Sequence, residues 1–224
     1  MKIFIIIFLS FFSFSALSIS IPKDNKVTFD VIRKNKVIGS IITTFDQNED
    51  ILSIKTEVEI EVKVLFVSAY KFSQISNETW INGEFVKFDG YTDFEDEREY
   101  YVKGEDKEDN FFASGMDGEL ILDKDILPLN YWNKDILKED EVFDTQKGIV
   151  RKITVKRLGN EIIEIDDKKI EVEKYTLDAT NNPKDKGPFP QYTLWYEING
   201  DLVKFKFKNW KDKKVVTTQR SNWD

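Results

Sequence analysis

TEVEIEVKVLFVSAYKF, residues 56–72, decides the fold class. It opens in strict alternation. Val58, Ile60, Val62 and Val64 point one way, and Glu57, Glu59, Glu61 and Lys63 point the other. A period of two marks a strand with one dry face and one wet face. The alternation then stops, because Leu65, Phe66 and Val67 are consecutive and apolar. Such a run, free of Gly, Pro and Asn, would extend about 55 Å, against about 17–20 Å for an ordinary strand. The expectation is one long, bent strand that passes from a half-wet environment into one dry on both sides. That needs a second covering layer, and ILPLNYWNKDIL (126–137) is the candidate, touching Leu65 or Val67. The alternative is a β-bulge near Leu65 that flips the faces.

The rest of the chain repeats the strand signal. Runs at 27–33 and 37–45 flank Lys34-Asn35-Lys36, and runs at 74–81 and 84–91 flank Asn82-Gly83. Runs at 192–198 and 202–207 flank Asn199-Gly200. Asn-Gly suits a type I′ hairpin turn, whose two central residues take positive φ. Asp117-Gly118 is a further turn signal, and shorter strands are expected at 98–103, 111–114 and 119–122. Others follow at 149–158, 161–165, 170–177 and 215–219. INGEFVKF (81–88) and INGDLVKF (198–205) echo each other, which reads as two I′ hairpins converging on one solution rather than as a duplication. Pro128 breaks the strand pattern, and Asn133 can cap a short helix running to Leu137. NNPKDKGPFP (181–190) is a loop.

Strands joined by short turns pair antiparallel, and a sheet with one apolar face must curl to cover it. In KFKFKNW (204–210), Phe205 and Phe207 face in while Lys204, Lys206 and Lys208 face out. The fold class expected is all-β: a strongly curved antiparallel sheet forming a barrel or half-barrel, with one short helical insert at about 125–138.

The first 20 residues, MKIFIIIFLSFFSFSALSIS, have a secretory signal peptide's charged start, apolar centre and small residues, with cleavage after Ser18 or Ser20. The apolar centre is short of the roughly 20 residues that span a bilayer. Residues 21–224 then form a single domain, exported to the periplasm, or secreted if the host lacks one, and not membrane-spanning after cleavage. The chain carries a formal charge of −8, which becomes −9 without the leader's one Lys. Such an acidic protein is expected to be a poor binder of nucleic acid or anionic membrane, since both need cationic surface. Cysteine and histidine are both absent. That excludes disulfides, Ser-His-Asp and Cys-His catalysis, and zinc sites built on His or Cys.

The pieces FDVIRKNKVIGS (29–40), VEIEVKVLFVSAYKF (58–72), ETWINGEFVKF (78–88), LPLNYWN (127–133), DTQKG (144–148) and LWYEINGDLVKF (194–205) come in a characteristic order. Together they resemble an exported proteobacterial family of unknown function, DUF6134. The resemblance implies export and an all-β fold, and no activity. More distantly, a curved sheet with a helical insert is similar to periplasmic lipid and lipoprotein carriers of the LolA-like kind, an analogy of fold alone.

Carboxylates could supply a glycosidase pair, but inward positions read as almost all apolar. The acidic runs around 95–99 and 105–109 read as solvated loops, and DTQKG reads as a turn rather than a Thr/Lys nucleophile site. Aromatics are the better signal. An apolar cavity lidded by the insert would be lined by Leu65, Phe66, Val67, Tyr70, Tyr131, Trp132 and Trp195, with Asn130 or Asn133 orienting a polar headgroup. The leading expectation is a non-enzymatic carrier of a lipid or other apolar ligand, with no cofactor. The alternative is an envelope interaction protein with a filled core. A carboxylate-dependent hydrolase ranks third.

Overall fold

The computed structural model describes residues 21–223 except 65–66 and 96–98, and leaves out the side chains at 64 and 67–69. The expected leader therefore lies outside the described residues, as do Leu65 and Phe66. The described strands, in chain order, begin with β1 (Lys26–Arg33), β2 (Lys36–Asn48), β3 (Ile51–Val64), β4 (Val67–Ile81) and β5 (Glu84–Phe94). They continue with β6 (Glu99–Lys107), β7 (Asn110–Gly115), β8 (Gly118–Asp123) and, after a connection, β9 (Glu141–Asp144). The last are β10 (Ile149–Ile165), β11 (Lys168–Ala179), β12 (Tyr192–Glu197), β13 (Leu202–Lys208) and β14 (Val215–Arg220).

All fourteen belong to one antiparallel sheet ordered β8-β7-β6-β5-β4-β3-β2-β1-β14-β13-β12-β11-β10-β9. Every sequential pair is adjacent except β8 and β9, which form the two edges, while β1 and β14 meet in the middle. The all-β, curled architecture read from the sequence is present, and the sheet stays open at its edges. Curling nevertheless brings the two ends together. Met116 N–H donates to the Lys147 carbonyl (2.7 Å). A Cβ on Gly115 would lie 2.5 Å from the Gly148 Cα, so only glycine permits the approach.

The quoted stretch is two strands, not one. Val64 of β3 lies opposite Val67 of β4, so the chain reverses between them. The expected long bent strand is corrected to a hairpin. Val64 and Val67 pair across two strands while Leu65 and Phe66 lie outside the described residues, so period-two reasoning does not carry through the stretch. The pairing shifts register between Val62 and Lys63.

Other local expectations are corrected in the same way. The runs at 149–158 and 161–165 are one strand, β10, bulged between Arg157 and Gly159. Asn82 (φ 53°) and Gly83 (φ 84°) make the expected two-residue turn. Lys34 and Asn35 make another, one residue shorter than the Lys34-Asn35-Lys36 link expected, because Lys36 pairs with Arg33. Asn199-Gly200 does not, because Gly200 N–H returns to the Glu197 carbonyl and only Gly200 (φ 100°) is left-handed. Between β7 and β8 the loop residues are Met116 and Asp117, with Gly118 (φ 89°) already in the strand. The sequence echo thus joins two different turns.

The connection from β8 to β9 carries the expected short helix, a 3-10 turn at Lys134–Lys138. Asn133 caps it, its side chain accepting from Asp135 N–H (3.0 Å). The connection packs inside the curl. Ile136 is fully buried and Leu127 nearly so, in one cluster with Phe45, Trp80, Phe88, Phe143 and Tyr196. It also borders β9: Phe143 N–H donates to the Leu127 carbonyl (2.9 Å) and Leu129 N–H to the Phe143 carbonyl (2.7 Å). The insert plugs the curl as well as covering it.

Candidate functional site

The inner face of β4 carries Phe72, Gln74, Ser76, Glu78 and Trp80, all buried. Phe72 and Trp80 share parity with the three polar residues and drag them inward. Ile75 and Ile81 are left on the wet side. The expectation that inward positions are almost all apolar is therefore corrected. Parity with Trp80 was the available signal, and hydrophobicity alone concealed it.

Glu78 is the centre of this stripe. Its carboxylate accepts from Trp80 Nε1 (3.0 Å) and from Asn130 Nδ2 (3.0 and 3.2 Å), so a strand residue holds the insert. Burial pushes the Glu78 carboxyl up to about 7, and the Trp80, Asn130 and Trp132 donors offset only part of that shift. The donors are neutral, and no charged group contributes to the shift. Trp132 Nε1 lies buried without a hydrogen bond of normal geometry. The Trp132 ring packs edge-on against Phe45 (5.6 Å) and Trp80 (5.8 Å). Tyr131 stacks obliquely on Tyr192 (4.8 Å) and Phe205 (5.1 Å), and its carbonyl accepts from Tyr196 Oη (2.9 Å).

Tyr131 and Trp132 thus sit where the expected lid should be, but they fill the space rather than line a void. The polar side chains of the insert are committed too. Asn130 is bound to Glu78, and Asn133 is the buried helix cap, so neither is the exposed headgroup ligand expected. Tyr70 stands opposite Val62 in the β3–β4 ladder, half-buried. The Val67 side chain lies outside the described residues, with Leu65 and Phe66, and so does their expected contact with the insert.

Trp195 belongs to the opposite face. Its neighbours in the ladder are Lys174 and Lys204, and the ammonium groups of Lys174, Lys204 and Lys206 lie 5.2–5.6 Å from its ring. Its indole N–H donates to Glu161. Lysine stems cover the ring, which explains its burial on an outer surface. It forms a small outer cluster with Ile165, Ile170, Val172 and Val203, separate from the main core. Of the seven residues expected to line one cavity, Trp195 thus lies on the face opposite Tyr131 and Trp132, while the side chains of Leu65, Phe66 and Val67 lie outside the described residues. Beside this cluster an open groove of about 680 Å³ runs between Lys168–Glu171, Glu197–Asn199 and Trp223.

DTQKG is the β9–β10 turn, as expected, yet it is buried and charged. Arg151 reaches Asp144 Oδ2 (2.5 Å) and both oxygens of Asp185 (2.9 and 3.1 Å). Lys147 also reaches Asp185 (3.1 Å), and Arg151 lies over Phe189 (4.9 Å). Two cations and two carboxylates compensate one another, so the group fixes the turn and the 181–190 loop instead of offering a free acid or base. Burial raises the Asp185 carboxyl, but hydrogen bonds and charge from Arg151 and Lys147, with the Asn182 N–H, hold it below the usual range.

Fold and interior together define a curled, β-barrel-like, all-β protein plugged by its own crossover. The profile described as "Domain of unknown function (DUF6134)" matches residues 29–218, and the chain belongs to that family. A crystal structure of a β-barrel-like protein of domain of unknown function DUF1849 from Brucella abortus is similar in fold, with a TM-score of 0.62 at 12% identity. That likeness covers 89% of this chain and 96% of the other. No curated protein matches this chain.

Proposed function

We propose that this is an exported, non-enzymatic interaction protein of the cell envelope, with a solid interior and a working exterior. The observation that carries this reading is the filling of the curl by the insert. Rings meet across the interior, Phe88 with Phe143 (5.9 Å), Phe111 with Phe143 (5.8 Å) and Trp80 with Trp132 (5.8 Å). This ring packing supports a filled interior over a standing lipid cavity. The buried Arg151 group is internally neutralised, and Glu78 is occupied by the insert, which supports a role other than hydrolysis. In-cell cross-linking of the full chain tests the reading. Recovery of a discrete envelope partner is expected, and recovery of monomer alone would contradict it.

A carrier remains the second reading because of one feature. The insert is held partly by a hydrogen bond to a carboxyl that burial pushes up to about 7, which would serve as the latch of a lid. Opening would have to expel Ile136 and Trp132 from the core before a ligand could enter.

A further inference from the structure

In a meander of this kind alternate turns gather on one rim. The β1–β2 and β13–β14 turns are neighbours there, because β1 pairs with β14 and Arg33 stands opposite Val216. The Arg33–Asp212 ion pair ties the two tips together. Residues 33–36 and 208–214 contain seven cations and one acid, Asp212, so this small arc is +6 within a chain of −8. Lys34, Lys36, Lys208, Lys211, Lys213 and Lys214 are all exposed.

The β13–β14 tip is a fixed platform rather than a loose loop. Asn209 Oδ1 accepts from the Lys211 (2.9 Å) and Asp212 (3.3 Å) N–H groups, and its backbone bonds Lys213 and Lys214 (both 2.9 Å). Trp210 rests against Gly187, where a Cβ would come within 2.3 Å of the ring, and it still shows 40% of its surface. Val37 (61% exposed) and Val215 (50%) flank the lysines. Concentrating like charges beside exposed apolar groups is unfavourable in water alone. It fits a surface that is anionic outside and apolar just beneath.

We infer that the rim formed by the β1–β2 and β13–β14 hairpins docks on an anionic lipid bilayer, with the lysines at the headgroups and Trp210 at the interface. The inference rests on the reading that the exterior is the working part. Lysine and tryptophan are the side chains favoured at a bilayer boundary, the one for its charge and the other for its amphipathic ring. Acids farther than a Debye length of about 8 Å from the tips are screened and do not oppose it. An acidic protein would meet the same charge, but it would not account for an exposed Trp and two exposed valines at the cationic tips.

The test is co-flotation of the full-length chain, leader removed, with vesicles of phosphatidylcholine alone or with about one-third phosphatidylglycerol. Flotation is expected only with the anionic vesicles, and it should fall in about 0.5 M salt. Replacing Lys34, Lys36, Lys211 and Lys214 by Gln should weaken it several-hundred-fold, at about fivefold per lysine. Lys213 is left alone because it is left-handed (φ 58°). A control set of exposed lysines away from this rim, Lys55, Lys87, Lys103 and Lys107 changed to Gln, should float like the unaltered protein. No flotation with anionic vesicles at low salt, or equal loss in both variant sets, would overturn the inference. Cross-linking to a protein partner would then still stand as a separate result.

Discussion

Glu78 sits on the inner face of a strand, accepts hydrogen bonds only from neutral groups, and is pushed up to about 7 by burial. Its ordinary value is 4.5, so the folded protein holds this proton more tightly than the unfolded chain. The sign follows directly. The stabilisation is full below about 4.5 and is lost as pH rises through about 7. Between pH 5 and pH 8 the loss should be about 2–3 kcal/mol. Glu78→Gln, which cannot ionise, should remove that part of the pH dependence and be the more stable protein at pH 8. Urea unfolding at the two pH values checks it, and equal pH slopes for both proteins would contradict it. Residue-level reading was weakest here. Glu78 lies in a stretch, SNETWI, whose charge marks it as wet, and only its parity with Trp80 places it inside. Arg151, Asp144 and Asp185 were equally hidden, because their pairing joins β9, β10 and a distant loop, and no local period reports a contact over that separation.

The insert is the element on which both readings of function turn. Its existence, its short helix and the Asn133 cap were legible because Pro128 and the cap residue act locally. Its depth was not legible, since burial of Ile136 depends on strands far away in sequence. Ile136→Ala should therefore cost about 2–5 kcal/mol, the usual range for emptying a packed site. A cost under about 1 kcal/mol in urea unfolding would mean that the insert only rests on the core. The stretch 56–72 teaches the complementary lesson. Alternation identified the strand, but an apolar hairpin tip and a doubly covered strand look alike in sequence. Turn chemistry separates them only when Gly or Asn is present, and VLFV has neither.

At the scale of the whole molecule, the all-β class and the curl followed from many one-sided strands joined by short turns. The order of the sheet did not, because pairing of the first strand with the last is a long-range event. That pairing brings two basic hairpins together and creates the cationic rim. The edges meet at Gly115 and Gly148, and the crossover between them fills the middle. The proposed role from its outside rests on that filling. The most direct test is to purify it from cells that express it, wash it in high salt to strip surface lipid, extract it with organic solvent, and weigh both fractions by mass spectrometry. The filled interior predicts polypeptide alone. A lipid or other apolar molecule recovered in stoichiometric amount would contradict it and restore the carrier.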